Sequence, residues 1–232
     1  MEITKTNTVA EVVSKQLGSD HVFSKYKIDF CCGGGMTLEA ACKESNVDFE
    51  VLKNEILAIN TKIARDSVEN IEDLEVLIST IETKYHQYID ENLPVVLQFS
   101  EKVAGVHGTE NPEVIEIFTL LKGVEIVLTE TMKNSLVNLY PAAIEIQKAG
   151  SISSEKITEI KSLMESNEVA QQLIGVTFKE ISKLSAHYTV PEEACNSYRF
   201  LYEKLHELDH QLQRYMHFYK HTFMPKMVKL IS

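Results

Sequence analysis

Apolar residues recur at three- and four-residue steps through most of this chain, and that pattern leaves few folds open. Leu74, Leu77, Ile78, Ile81, Tyr85, Tyr88 and Ile89 form one stripe, the spacing of a helix with a single buried face. Ile117, Leu120, Val124, Val127, Leu128, Thr131 and Ser135 share a face of a second helix, and Leu201, Leu205, Leu208, Leu212, Tyr215 and Tyr219 a face of another. The 9 glycines and 5 prolines among 232 residues are too few for an all-β chain, which needs frequent turns. The expected fold is all-α.

Punctuation residues divide the pattern. Pro94 interrupts the helical stretch from Leu74 to His107, where it must kink the helix or start a new one. Asn111-Pro112 opens a helix to about Tyr140, Ser154 caps one from Glu155 to Ala186, and Pro191 opens the last, ending near Pro225. Residues 74–232 therefore read as an up-down four-helix bundle. Residues 61–73 are polar and weakly periodic, a linker. Residues 1–60 read as a small domain of short helices, with Thr8 capping Val9 to Gln16 and Ser19 capping Asp20 to Tyr26. Thr37 restarts a helix through about Glu44, and Asp48 caps one through about Ile59. Such short helices need one another to be stable.

Charge narrows the partners. Lys+Arg 23 against Asp+Glu 34 gives a net charge of -11, which repels phosphate backbones, so neither nucleic acid nor anionic membrane is an expected partner. No apolar run approaches the roughly eighteen residues of a membrane span, and Met1 to Asp20 lacks the pattern of a signal peptide. Four cysteines, two of them adjacent, do not make a disulfide framework. A cytoplasmic protein is expected.

The most unusual local feature is Cys31-Cys32 followed by Gly33-Gly34-Gly35. Glycines let the backbone approach another surface closely or leave the sulfurs accessible. Adjacent cysteines form a disulfide only with strain, so such a bond is easily reduced. Accessible thiols of this kind suit redox exchange, metal capture or nitrosylation; the alternative is a pair of inert, half-buried small hydrophobes. Cys195, in the first turn after Pro191, gains thiolate character if it meets a helix N-terminus. His206, His210, His217 and His221 form a stripe about 60° wide on the last helix. Paired His-x-x-x-His spacings admit zinc or nickel, yet the stripe lies opposite the apolar face, which favours a solvated or interfacial surface.

The segment from Phe23 to Leu38, with Ile28-Asp29-Phe30-Cys31-Cys32-Gly33-Gly34-Gly35 at its centre, closely resembles the N-terminal domain of the repair-of-iron-centres (ScdA/YtfE) family. Lys84-Tyr85-His86 with Leu93-Pro94, Val106-His107, and Pro191-Glu192-Glu193-Ala194-Cys195 resemble it too, as do the helix endings Leu139-Tyr140-Pro141 and Phe223-Met224-Pro225. The resemblance implies a cysteine-pair domain joined to a hemerythrin-like four-helix bundle that holds a non-haem di-iron centre. It implies a protein that restores iron–sulfur clusters damaged by nitric oxide or peroxide.

This chain departs from that pattern at the ligands the resemblance implies. Thr131 and Ser135 stand where a His and a Glu are expected, as do Tyr215 and Tyr219, and Asn167 or Glu168 replaces a further histidine. His86 alone stands at a bundle-ligand position. His107 also matches a family histidine, but in one unbroken helix it lies about 31 Å from His86; only a hairpin near Pro94 joins them. The expectation is thus no resident cofactor and chemistry at Cys31 and Cys32, with iron entering only if His86, His107, Glu168 or the two tyrosines build a remodelled site. Partners would be an iron–sulfur client protein or a metal-competent paralogue, with a homodimer as an open option. The competing readings are a non-catalytic regulatory scaffold and, third, a mononuclear metal or haem site; whether the protein is an enzyme stays open, with the balance against it.

Overall fold

The computed structural model describes residues 2–16, 18–30, 34–59, 73–149 and 153–231. Residues 61–72 of the expected linker, and Cys31 and Cys32, lie outside these. Among the described residues the chain is all-α, its one extended pairing being the isolated bridge between Thr8 and Thr37. They fall into two compact units, residues 1–73 with 213–229 and residues 74–212 with 230–232.

The first unit holds four short helices, α1 (Val9–Lys15), α2 (Ser19–Lys25), α3 (Leu38–Glu44) and α4 (Phe49–Ala58). Thr8 caps α1 in a reciprocal box with Glu11, Thr37 caps α3 through Ala40 N–H, and Asp48 caps α4. The cap of α2 differs from expectation: Gly18, at φ +84°, holds the N-cap position and Ser19 is the buried first helical residue. A left-handed turn there is open to glycine at little steric cost. Helix starts leave N–H groups without intrahelical partners, and here two starts satisfy each other. Val9 and Ala10 of α1 donate to the carbonyls of Met36 and Gly34, at 3.0 and 2.8 Å. Leu38 and Glu39 of α3 donate to Asn7 and Lys5, at 2.8 and 3.1 Å. Val9, Val12, Phe23, Phe30, Leu38 and Leu52, each fully buried, fill the core.

The second unit is the bundle. α5 (Leu74–Ile81) continues through a π-helical turn, Glu82–His86, into α6 (Gln87–His107), so Pro94 lies inside one long rod and opens no new helix. α7 (Glu113–Asn134) likewise runs through a π turn, Ser135–Leu139, into α8 (Tyr140–Ala149). α9 spans Ser154–Leu184 with Ser153 as its cap, and α10 spans Asn196–Phe218, beginning after Pro191 rather than at it. α6 packs on α7, α7 on α9, and α5 on α8. The last helix passes through a third π turn, Tyr219–Phe223, into α11 (Met224–Leu230), and residues 213–229 of this stretch belong to the first unit.

The two expected helix endings are therefore interior. Tyr140 N–H donates to the carbonyl of Ser135, and Met224 N–H to that of Tyr219, each one residue farther back than in an α-helix. Pro141 and Pro225 follow immediately. Proline has no N–H and its ring crowds the preceding turn; a widened π turn just upstream relieves both, and the helix continues.

Candidate functional site

The cysteine pair is bracketed by two anchored residues. Phe30 is fully buried, and its carbonyl accepts a hydrogen bond from His217 Nδ1 at 3.1 Å. A carbonyl only accepts, so Nδ1 carries the proton and Nε2 is left to accept from the Ser14 hydroxyl at 3.4 Å. Burial and the neighbouring His221 ring hold His217 well below an ordinary histidine, at about 4, so it stays neutral. On the far side, Gly34 is clamped to α1 through Ala10. A Cβ on Gly34 would stand 2.7 Å from the Phe30 carbonyl oxygen and 3.0 Å from the Ala10 methyl, whereas one on Gly35 would meet nothing within 4 Å. Gly34 thus serves the close approach expected of this glycine run. The histidine stripe divides: His206 is exposed, whereas His217 is buried within the first unit.

In the bundle, His86 is buried at the end of its π turn and stacks on Tyr140, ring centroids 6.0 Å apart. Burial lowers its pKa to about 4. Thr131 and Ser135 are buried as the periodicity predicts, and Ser135 opens the second π turn. Of the two residues between which the sequence left the register open, Asn167 is buried and Glu168 exposed. Asn167 donates from Nδ2 to Ser135 Oγ at 2.9 Å, inside the bundle. The four buried residues named here, His86, Thr131, Ser135 and Asn167, supply an imidazole, two hydroxyls and an amide, all neutral. The one carboxylate among the buried described residues of this unit is Asp209, which accepts from the Tyr188 hydroxyl at 2.7 Å. Tyr215 and Tyr219, assigned to the first unit, are buried with ring centroids 6.3 Å apart.

His107 ends α6 in the unbroken rod, so no hairpin brings it to His86. Instead its Nε2 lies 3.3 Å from the exposed Cys195 Sγ, and its ring packs at 5.4 Å from Tyr198. Sequence reasoning reached Cys195 through the helix start but missed its partner, 88 residues away. It also missed the three π turns among the described residues, whose one signal was a proline two residues beyond each of the last two. Nothing in the sequence marked Ala186, His187 and Tyr188, which adopt φ of 47°, 60° and 60°. That left-handed run costs roughly 1–2 kcal/mol per residue and is held by the Tyr188–Asp209 hydrogen bond and by stacking on His206 at 5.3 Å.

Comparisons with known proteins match sequence along nearly the whole chain. Residues 5–60 match the ScdA_N family, described as a domain of unknown function (DUF542). The chain is 29% identical to the iron–sulfur cluster repair protein ScdA of Staphylococcus haemolyticus, over 97% of this chain and 99% of that one. It is 30% identical to the iron–sulfur cluster repair protein YtfE of Yersinia pseudotuberculosis, over 90% of each chain. An anchored cysteine-pair segment, a helical bundle and matches that run nearly end to end converge on one assignment: the chain belongs to the ScdA/YtfE family of iron–sulfur cluster repair proteins.

Proposed function

We propose that this protein takes part in repairing damaged iron–sulfur clusters through Cys31 and Cys32, as a member of its family that lacks the di-iron centre. The observation that carries the second half is the Asn167–Ser135 hydrogen bond. A di-iron site needs anionic, metal-facing donors, and histidine and carboxylate ligands suit it. An amide spending its N–H on a serine hydroxyl is a satisfied neutral pair that fills the same interior. His86, Thr131, Ser135 and Asn167 do not fit two irons, because one imidazole among neutral oxygens leaves the metal charge uncompensated.

Supporting the first half is the anchoring of Phe30 and Gly34, which fixes both ends of the cysteine segment. The client would be a protein carrying a nitrosylated or oxidised cluster. The test has two arms. Metal analysis of protein purified without added metal should find well under one iron per chain; two irons would overturn the degenerate reading. Recovery of a nitric-oxide-damaged iron–sulfur enzyme should be supported by the wild type and lost in Cys31→Ser and Cys32→Ser. Equal recovery with these variants, or none with the wild type, would favour the regulatory scaffold.

A further inference from the structure

The thiol that the bundle itself displays is Cys195, and three features converge on its sulfur. It is exposed. The backbone N–H groups of Tyr198 and Ser197, in the first turn of α10, favour its thiolate and lower its pKa. His107 Nε2, at the end of α6, lies 3.3 Å away. The first-turn N–H groups of a helix are unpaired donors at the positive end of its dipole, and they stabilise a thiolate. Imidazole adds a group that accepts the thiol proton and, once protonated, donates back to the sulfur.

The other side chains around the pair hold it still. Tyr198 packs edge-on against Tyr202 with ring centroids 4.9 Å apart, and their hydroxyls are 3.3 Å apart. Arg199 returns its guanidinium to the carbonyls of Ala194 and Glu192, at 3.0 and 2.9 Å, which fixes the turn that presents Cys195. Glu113, from α7, is the carboxylate whose field reaches Tyr198 and Tyr202.

We propose that Cys195 and His107 form a thiol-modification site at the start of α10, which takes a small disulfide and holds its incoming half as a mixed disulfide. In the step, the Cys195 thiolate attacks one sulfur of the disulfide. The new S–S bond forms as the old one breaks, and the second half leaves as a thiolate that takes the proton His107 had removed from Cys195. The Cys195 sulfur is oxidised, the departing sulfur is reduced, and the disulfide is the only oxidant. A free small thiol reverses the step by attacking the mixed disulfide. The N–H of Tyr198 and then His107 hold the Cys195 thiol below its ordinary range, whereas burial pushes Cys42 up, so the two cysteines are set apart before any reagent arrives. This site uses neither Cys31 nor Cys32.

The test uses the full chain and an aromatic disulfide that releases a coloured thiolate. Peptide-resolved mass spectrometry assigns each adduct, so Cys31 and Cys32 do not obscure the result. Near pH 7, Cys195 should form its mixed disulfide at least ~10-fold faster than Cys42. His107→Gln should slow Cys195 by ~10-fold at pH 6–7 and much less above pH 9, where the thiol ionises unaided. The adduct should be absent in Cys195→Ser and reversed by a small thiol. Labelling of Cys195 no faster than Cys42, or a His107→Gln rate profile that matches wild type at every pH, would overturn the proposal.

Discussion

Each unit buries a neutral histidine, and the two are used differently. In the first unit, His217 donates to a backbone carbonyl 187 residues away in sequence, so one side chain joins the C-terminal helix to the segment that leads into the cysteine pair. In the bundle, His86 stacks on Tyr140, and the hydrogen bond nearby joins two short side chains, Asn167 and Ser135. A backbone carbonyl persists whatever the side chains become, so replacing His217 takes away a donor that no substitution at Phe30 can offset. A side-chain pair can be replaced as a pair. Polar burial in the first unit is therefore connective, and in the bundle it is infill.

The largest effect should come from forcing charge into the infill. Ser135→Glu buries a carboxylate where a hydroxyl now accepts from Asn167, and an uncompensated buried charge costs about 3–5 kcal/mol. Thermal unfolding of the metal-free variant should show the bundle transition falling steeply, with the first unit little changed. A variant as stable as wild type at pH 7 would mean that this interior is wetter or better supplied with cations than its neutral set implies.

Acid should probe both units at once. His86 and His217 titrate at about 4 when folded and near 6.5 when not, burial being the main cause in each. A depressed histidine is stable in its neutral form. Its contribution is complete above pH 6.5, is lost as pH falls because the unfolded chain binds the proton first, and levels off below about 4. The gap amounts to about 3 kcal/mol per histidine. Denaturant titrations at pH 7, 5.5 and 4 should show stability falling through that window. His86→Phe should flatten the slope for the bundle and His217→Phe for the first unit; a slope that survives both replacements would place the acid sensitivity elsewhere.

How much of this contrast the sequence discloses follows from what produces each part. The helices, their caps at Thr8, Thr37 and Asp48, and the inward faces bearing Thr131 and Ser135 are legible because periodicity and capping are local. The π turns are not, since a hydrogen bond displaced by one residue leaves the composition unchanged; Pro141 and Pro225 were read as stops when they lie just beyond such turns. The His217–Phe30 and His107–Cys195 contacts join residues far apart in sequence, and no pattern within either segment specifies the partner. His217 even carried a misleading signal, because its stripe lies opposite the apolar face and so resembles solvated surface until the first unit's own helices cover it.

Breaking the connective contact itself should have a middling effect. His217→Phe keeps the bulk but leaves the buried Phe30 carbonyl without its donor, at a cost of about 1–3 kcal/mol. Gly34→Ala attacks the other end of the same segment, since its Cβ would stand 2.7 Å from that carbonyl oxygen, and the backbone has to shift. Gly35→Ala, with nothing within 4 Å, is the matched control and should stay within ~0.5 kcal/mol. Hydrogen exchange at the α1 amides should accelerate in the first two variants and not in the third. Equal behaviour of all three would remove the claim that the cysteine segment is pinned at both ends.

The smallest effect should come from removing the infill as a pair. Ser135→Ala alone removes the hydroxyl that accepts from Asn167, and Asn167→Leu alone removes that donor from Ser135, each costing about 1–3 kcal/mol. Together they exchange a satisfied polar pair for apolar groups, and such an exchange is close to neutral. A double-mutant cycle on thermal stability should therefore show the double variant within ~1 kcal/mol of wild type and clearly above the sum of the singles. On the proposed function, repair of a damaged client should persist in the double variant, which leaves Cys31 and Cys32 untouched. Additive losses would show that Asn167 and Ser135 each serve a partner beyond the other. Loss of repair with stability intact would show that the bundle interior has a part in the chemistry, and the distinction between connective and infill polarity would then fail at the residues on which it was built.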